Sequence, residues 1–225
     1  MKRFTLIVLS MIIIAVSPAH VSASDNNGAA KMNDVLDVIH EFLLIPEKSV
    51  PPRLLANAQA IAIIPSVIKA GFIIAGRKGS GVLLVKNEQG EWGNPSFITF
   101  SGGGLGLQIG YQATDIMLVF KTRKSVDKVL KGKFSFGVNA GAAAGPVGRQ
   151  AEAATDSELR SEIISFSRSR GLFAGVSFEG SAIDIDTETT KEFYGQASAE
   201  INEPGARTPE SVDKLKQIIN KQIKK

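Results

Sequence analysis

The sequence predicts an α+β fold, in which an antiparallel, glycine-rich sheet closes into a small barrel or sandwich and helices lie at the N- and C-terminal ends. Three observations predict it. Apolar residues recur at helical spacing mainly near the two ends, short apolar runs bounded by glycine fill the middle, and the connections between those runs are too short for parallel crossovers. No cysteine occurs among the 225 residues, so the core and the hydrogen bonds must hold the fold without disulfides.

The first 23 residues are typical of a secretory signal peptide. Lys2 and Arg3 precede an apolar run from Phe4 to Val16, and Val21-Ser22-Ala23 offers small residues for cleavage after Ala23. The run has about 13 residues, whereas a spanning helix needs roughly 20; an uncleaved anchor is the alternative. We expect residues 1–23 to be removed and residues 24–225 to form one domain of an exported protein, periplasmic or secreted and either free or peripheral to a membrane.

Helices are predicted at both ends of this domain. An amphipathic helix spans Lys31–Ile45, and a short second helix spans Arg53–Gln59 after a pair of prolines. A final helix begins at Glu210 and runs to about Gln222. The apolar stripe of the first helix consists of Met32, Val35, Leu36, Ile39, Phe42 and Leu43.

Strands are predicted between these ends. Pro65 is expected to stop the first of them, and Asn87–Gly90 to form a hairpin turn. Ser125 is expected to cap a helix over Val126–Lys131, and Thr187–Tyr194 to form a helical turn. The predicted strands are Ile61–Ile64, Phe72–Ala75, Val82–Lys86, Phe97–Tyr111, Asp115–Lys121 and Lys133–Ala144. Two further segments, Glu158–Ser169 and Leu172–Ile185, are predicted to be two more strands or one long bent hairpin.

Glycine recurs inside the predicted strands, where it costs stability. Gly102, Gly104, Gly106 and Gly110 would share one face of a strand, because side chains alternate. Such placement indicates close backbone approach or sharp coiling of the sheet, and a ligand-facing role is the alternative.

Few residues are available for catalysis, so we expect a protein that is not an enzyme. The chain has no cysteine, and outside the signal peptide its one histidine is His40, on the first predicted helix. No dinucleotide fingerprint, phosphate loop or nucleophile elbow occurs. No cofactor is therefore expected.

An acidic cluster is the one candidate for a metal site. Asp184, Asp186 and Glu188 alternate along the chain and would share one face, as a hard cation requires. The favoured interpretation is a solvated strand end at which Asp186 or Thr187 caps the next helical turn.

Basic residues cluster, although the charge without residues 1–23 is nearly balanced, with 24 basic and 22 acidic residues. Arginine forks and lysine point charges suit phosphate oxygens, so these clusters could hold lipid headgroups; an ordinary solvated surface is the alternative. An exported chain with few aromatic residues is a poor candidate for nucleic-acid binding. The first cluster consists of Lys121, Arg123, Lys124, Lys128, Lys131 and Lys133, and the second of Arg149, Arg160, Arg168 and Arg170.

Several motifs along the chain resemble those of the SYLF domain, a lipid-binding module of bacterial exported proteins and of eukaryotic membrane-trafficking and actin-patch proteins. The most specific are residues 144–149 (Ala-Gly-Pro-Val-Gly-Arg) and residues 167–175 (Ser-Arg-Ser-Arg-Gly-Leu-Phe-Ala-Gly). Further matches are Ile64-Pro65, Lys69–Phe72, Gly76–Gly81, Gly90-Glu91-Trp92, Gly102–Gly110, Glu179-Gly180 and Phe193-Tyr194-Gly195. The resemblance covers nearly the whole chain from Met32 to the last helix.

The resemblance implies binding of anionic phospholipid through basic residues and the amphipathic first helix. The motif cations it assigns are Lys69, Arg149, Arg168 and Arg170. Eukaryotic members bind phosphoinositides, whereas an exported member is expected to bind another anionic lipid and not actin.

The leading hypothesis is therefore a non-enzymatic protein that binds anionic phospholipid or a membrane surface. Its first helix would either lay its stripe into the interface or cover an acyl-chain pocket. A structural or protein-interaction role in the envelope, with a partner that the sequence does not identify, is the alternative. An outer-membrane barrel is disfavoured because the chain ends in a lysine-rich helix and has few aromatic girdle residues.

Overall fold

A computed structural model describes residues 28–45, 50–71, 74–105, 110–132, 134–138, 141–145, 161–169, 172–173, 178 and 180–224. The predicted signal peptide lies outside these residues. The described helices are α1 (Gly28–Leu44), α2 (Pro52–Ala56), α3 (Arg123–Leu130), α4 (Thr187–Tyr194) and α5 (Glu210–Ile223). None of these five is long and apolar enough to cross a bilayer.

The strands form one sheet with the order β5-β9-β3-β2-β1-β4-β7-β6, and β8 pairs with β7. Every pairing is antiparallel except that of β6 with β7. The strands are β1 (Ala60–Gly71), β2 (Ile74–Val85), β3 (Ser96–Leu105), β4 (Gly110–Phe120), β5 (Phe134–Ser135), β6 (Ala142–Ala144), β7 (Ile163–Ser169), β8 (Leu172–Phe173) and β9 (Ser181–Ile185). The sheet curls into a half-barrel with helices from both chain ends, which confirms the predicted α+β class.

The helices begin and end close to their predicted limits, with one correction at a cap. Thr122, not Ser125, caps α3, because its hydroxyl accepts from the Ser125 N–H. Ser125 lies inside the first turn, where its hydroxyl donates to Glu162 at 2.7 Å. Gly195 ends α4 with a positive φ of 71°.

The first strand continues through Pro65, which the sequence predicted would stop it. Pro65 and Ser66 lie in a bulge, since β1 advances from Ile64 to Val67 while β4 advances only from Ile116 to Thr114. Ser66 takes a positive φ of 46°, and its N–H donates to the Asp115 carboxylate at 2.9 Å. A bulge tolerates proline because the ladder needs no N–H there.

The next hairpin also differs from the prediction, because two predicted short strands are one strand, β2. The glycines between them lie within the sheet. A Cβ at Gly81 would collide with the backbone of Ile63 and Ile64 in β1, so only glycine fits at this close approach. The predicted turn at Asn87–Gly90 is present, and Gly90 has a φ of 81°.

The predicted long strand Phe97–Tyr111 is divided between β3 and β4. These two strands are not neighbours, because β2 and β1 lie between them. Residues 106–109, which join the two strands along the chain, lie outside the described part. A local pattern of alternating glycines does not reveal this crossover.

The later predicted strands are also shorter than expected. The predicted strand Lys133–Ala144 contains β5 and β6, which lie at opposite edges of the sheet. Glu158–Ser169 contributes β7, and Leu172–Ile185 contributes β8 and β9. Apolar and glycine-rich composition alone does not locate where such strands stop.

Two apolar clusters lie on opposite faces of the sheet. The helix-side cluster joins the stripes of α1, α2 and α5 to inward residues of the strands, among them Ile61, Ile63 and Met117. The phenylalanine cluster lies on the other face and includes Ala62, Ile64 and Leu118. Its aromatic members are Phe100, Phe120, Phe134, Phe136 and Phe178.

Only one half of β1 to β4 lies between these clusters. The half beyond the bulge, comprising residues 66–71, 74–80, 101–105 and 110–114, is called here the distal end. Ser66, Ala70, Lys78 and Ser101 are exposed there, in contrast to the fully buried residues 60–64. The sheet therefore extends past its own core.

Substitution of Gly81 tests the close approach of β2 to β1. Gly81→Ala should lower the free energy of unfolding by about 1–3 kcal/mol, the usual cost of overpacking, because backbone rather than a flexible side chain meets the new methyl group. Gly76→Ala is the matched control, since its Cβ meets nothing within 4 Å, and should cost less than about 0.5 kcal/mol. Urea unfolding of both variants is the measurement, and equal midpoints would contradict the assignment.

Tyr194 ties α4 to the segment before β3. Its hydroxyl donates to the Pro95 carbonyl at 2.9 Å, and the residue is buried. Burial raises the pKa of the Tyr194 phenol above its ordinary value of about 10. The unfolded chain therefore releases this proton first as the pH rises, so Tyr194 lowers the stability of the fold above about pH 10.

Tyr194→Phe should abolish the contribution of this phenol to the fall in the free energy of unfolding above about pH 10. The same change should lower the free energy of unfolding at pH 8 by about 1–3 kcal/mol, because the Pro95 carbonyl loses its donor. Urea unfolding at pH 8 and pH 11 measures both effects. The other titrating groups affect the two proteins equally. If the free energy of unfolding falls equally between pH 8 and pH 11 in the unchanged protein and in Tyr194→Phe, the phenol ionises freely in the folded protein.

Candidate functional site

The distal end presents cations on two adjacent strands. Lys69 on β1 pairs directly with Arg77 on β2, and Ile68 pairs with Lys78. Directly paired residues share a face, so Lys69 and Arg77 lie on the side of the phenylalanine cluster while Ile68 and Lys78 lie on the helix side. Lys78 is exposed, Lys69 and Arg77 are half-buried, and Ile68 is 40% exposed.

No acidic residue occurs in the sequence from residue 66 to 80 or from 101 to 114. Asp115 lies at the base of this region and is engaged by the Ser66 N–H and by Arg168. The local charge of the distal strands is therefore of one sign. Three cations and a partly exposed isoleucine, on strand segments whose own sequence contains no acidic residue, form a surface suited to an anionic, amphipathic partner.

Arg168, which the family resemblance assigns to lipid binding, has another role in the structure. On β7, its guanidinium forms ion pairs with Glu41 of α1 and with Asp115 of β4, the latter at 3.5 Å. The side chain is 20% exposed. This three-residue contact, called here the α1 tie, fastens the first helix to the sheet and uses the charge that a headgroup would need.

The apolar stripe of α1 is buried in the helix-side cluster. Met32, Val35 and Ile39 have no exposed surface, and Phe42 and Leu43 have 1% each. Of the two modes expected from the sequence, a stripe exposed in the free protein is therefore wrong for this conformation. The stripe packs instead against the sheet, α4 and α5.

Among the described residues, the predicted cations near α3 do not join Lys69. Lys121, Arg123 and Lys124 lie where β4 leads into α3. Because Lys69 pairs with Gln112, β4 separates the two groups by roughly 30 Å at about 3.3 Å per residue. Arg123 forms an ion pair with Asp127 at 3.2 Å. Arg149 and Arg170 lie outside the described residues.

The acidic cluster has the structural role that the sequence favoured. Asp186 caps α4, since its carboxylate accepts from the Thr189 N–H at 3.0 Å and from the Thr189 hydroxyl at 2.8 Å. Within the part of the chain that the structure describes, no group of three or more histidine or acidic residues is placed to hold a metal ion.

Arg77 and Lys78 are the distal cations that the sequence interpretation missed. They are separated from Lys69 by a hairpin and come beside it only through strand pairing. A usable signal was present, because residues 66–80 contain three cations and no acid.

His40, the single histidine outside the predicted signal peptide, is exposed on α1.

Comparison with known proteins gives one consistent result. Residues 101–222 match the model of the family Ysc84, described as "Las17-binding protein actin regulator". The SH3 domain-containing YSC84-like protein 1 of Xenopus laevis is 37% identical over 179 residues, which are 77% of this chain and 51% of that protein.

Two yeast proteins give similar matches. LAS seventeen-binding protein 3 of Saccharomyces cerevisiae is 38% identical over 178 residues, 77% of this chain and 39% of that protein. Protein YSC84 of the same organism is 38% identical over 178 residues, 77% of this chain and 38% of that protein. The chain thus spans about half or less of the length of the curated relatives it matches. The family match covers more than half of the chain, and with the motifs already described it shows that this chain belongs to the Ysc84 family of SYLF-domain proteins.

Proposed function

We propose that this SYLF domain binds the surface of anionic phospholipid membranes without catalysing a reaction, and that the distal end of its sheet makes the contact. The observation that carries the proposal is the set of three cations, Lys69, Arg77 and Lys78, beside the partly exposed Ile68 on strands without a carboxylate. Lysine and arginine each contribute about 1 kcal/mol near an anionic membrane surface, so this set supplies about 3 kcal/mol.

The geometry of the distal end supports contact with a broad surface. The paired strands expose side chains of β1 and β2 on both faces of the sheet, so the end of the sheet can enter the headgroup layer edge first. Lys69 and Arg77 then face phosphates on one side, and Lys78 faces them on the other. Ile68 adds apolar area where the headgroups meet the acyl chains.

The first helix is not part of this contact in the folded domain. Insertion of its stripe would expose the helix-side cluster and break the α1 tie among Glu41, Arg168 and Asp115. Loss of that packing opposes insertion, whereas the distal end needs no rearrangement. The remaining predicted lipid contacts stay predictions, and the experiment below tests the last three of them: Arg149, Arg168, Arg170, Lys121, Arg123 and Lys124.

A second candidate function is binding of a protein partner. The name of one yeast relative, LAS seventeen-binding protein 3, states that it binds LAS seventeen, and the name of the frog relative states that it contains an SH3 domain. The aligned segment is shared with these proteins, so a protein contact through the same segment is the competing explanation. A protein partner would leave binding to lipid vesicles absent or independent of lipid charge.

Vesicle co-sedimentation tests the membrane proposal. The protein should pellet with vesicles that contain phosphatidylglycerol and not with pure phosphatidylcholine, and binding should weaken as salt rises because screening shortens the range of the attraction. Lys69→Gln, Arg77→Gln and Lys78→Gln together should weaken binding by about 100-fold, the equivalent of 3 kcal/mol.

The matched control removes the same charge from α5 through Lys214→Gln, Lys221→Gln and Lys224→Gln, at three exposed positions. It should leave vesicle binding within about threefold of the unchanged protein. Equal loss in both triple variants would mean that net charge alone drives adsorption. Loss of vesicle binding only after replacement of Lys121, Arg123 and Lys124 would assign the contact to the start of α3 and contradict the distal-end proposal.

Export is proposed from the N-terminal sequence, which lies outside the described residues. If residues 1–23 are a cleaved signal, the protein recovered from a bacterial periplasm or culture medium begins at Ser24. Intact-mass spectrometry measures this start directly. Ala23→Leu should slow cleavage, because the peptidase requires a small residue, whereas Ser24→Ala should not. Recovery of a chain that keeps Lys2 and Arg3 would favour the uncleaved anchor.

A further inference from the structure

A cleft of about 410 Å³ lies at the end of the sheet opposite the distal end. It is bounded by α3, α5 and the loop that joins α4 to α5, and its size is that of a small-molecule site. Val85 and Leu130 contribute apolar wall, and Leu130 is 43% exposed, whereas Leu83 behind them is only 1% exposed. The cleft therefore has an apolar wall next to solvent.

Three cations from separate elements line this cleft. Lys86 follows β2, Arg123 begins α3, and Lys216 lies in the middle of α5. Folding alone brings these three positions together. Only Arg123 was a candidate from sequence, and there it was grouped with Lys121 and Lys124.

Lys216 is held in place by a buried amide. Its Nζ donates to the Asn94 Oδ1 at 2.7 Å, and Asn94 is only 6% exposed. The Asn94 amide in turn donates to the Ile201 carbonyl at 2.7 Å, which fastens the loop that forms one rim. An ammonium has three donors, so two of them remain for a ligand.

Arg123 and Lys86 are linked to each other. The Arg123 Nη1 donates to the Lys86 carbonyl at 3.0 Å, and its Nε donates to Asp127. The Lys86 Nζ donates to the Ala56 carbonyl at 2.6 Å and to the Leu55 carbonyl at 3.4 Å, which leaves one of its three donors, and it lies 4.8 Å from the centre of the Trp92 ring. The guanidinium has five N–H donors, so this arrangement fixes its position and leaves donors that can face the cleft.

The carboxylates near the cleft do not cancel the effect of burial on the pKa of its lysines. Glu203 lines it, and Asp213 and Glu91 stabilise the charged form of Lys216. Burial nevertheless lowers the pKa of Lys216, against the opposing effect of those two carboxylates, and burial also lowers the pKa of Lys86. A bound anion would favour the charged form of both lysines.

We propose that this cleft binds a phosphate group carried on a short apolar body, with Lys86, Arg123 and Lys216 around the phosphate and Val85 and Leu130 against the apolar part. An arginine fork with two ammonium groups suits a doubly charged phosphate better than a singly charged carboxylate. The ligand is either a soluble phosphate ester or the headgroup of a phospholipid.

This site goes beyond the membrane contact proposed above. Lys78 of the distal end and Lys86 of the cleft are separated along β2 by roughly 25 Å at about 3.3 Å per residue. The two regions lie at opposite ends of the same strand. The cleft is therefore a second site, and either proposal can fail without the other.

Trp92 provides the readout, because it is the single tryptophan of the chain and lies under Lys86. The full-length protein is titrated with hexyl phosphate, inorganic phosphate and phosphatidic acid vesicles, followed by tryptophan fluorescence and calorimetry. Hexyl phosphate should bind with a Kd at least tenfold below that of inorganic phosphate, since only hexyl phosphate can cover the apolar wall.

Arg123→Gln with Lys216→Gln should raise the Kd for hexyl phosphate at least tenfold. The matched control, Lys124→Gln with Lys214→Gln, removes the same charge from the same two helices at exposed positions and should change it less than twofold. Lys69→Gln, Arg77→Gln and Lys78→Gln together should leave this Kd unchanged. Circular dichroism and thermal unfolding verify that each variant is folded.

The vesicle arm identifies the source of the phosphate. Saturation by phosphatidic acid vesicles that depends on Arg123 and Lys216 assigns the cleft to a lipid headgroup, and binding of hexyl phosphate alone assigns it to a soluble ester. Absence of binding to hexyl phosphate and to inorganic phosphate, together with vesicle binding that does not change when Arg123 and Lys216 are replaced, would overturn the proposal. Equal weakening of hexyl phosphate binding in the cleft variant and in the control variant would overturn the proposal as well.

Discussion

Burial of β1, β2 and β4 on both faces over only half of their length is the constraint on which the rest of this structure depends. Residues 60–64 are fully covered by helices on one side and by phenylalanines on the other. Apolar burial is the main stabilising term, so this half holds the domain together. The same strands then continue for several residues into the distal end, where Ser66, Ala70 and Lys78 are exposed.

The two halves consequently carry different kinds of residue. The covered half is apolar on both faces, as in strands that are buried on both sides, and glycine lets its backbones approach closely at Gly81. The uncovered half carries cations and no acid, and the cleft lies at the other end of β2. The α1 tie keeps the first helix on the covered half, so membrane contact at the distal end does not require that helix to unfold.

Local patterns predicted the helices well and the strands less well, for a physical reason. The limits of α4 follow from Asp186 and Gly195, which act within one turn, and the stripe of α1 follows from spacing alone. Pro65 was expected to end a strand, because the local sequence does not reveal the bulge that accommodates it. In that bulge the Ser66 N–H donates to Asp115, about fifty residues away. The candidate site could be predicted only where charge is local in sequence: Lys69 was among the predicted cations, whereas the pairing that places Arg77 beside it, and the ion pairs of Arg168 with carboxylates of two other elements, form only on folding.

The bulge at Pro65 and Ser66 also decides which residues face which side of the sheet. Before it, odd-numbered residues such as Ile63 point to the helices; after it, odd-numbered Val67 points to the phenylalanines. One extra residue has therefore reversed the alternation in midstrand. A relative that lacked this residue would turn Ile68 and Lys69 to the opposite sides. Sequence alignments of such domains should therefore be judged by whether they preserve this one-residue insertion.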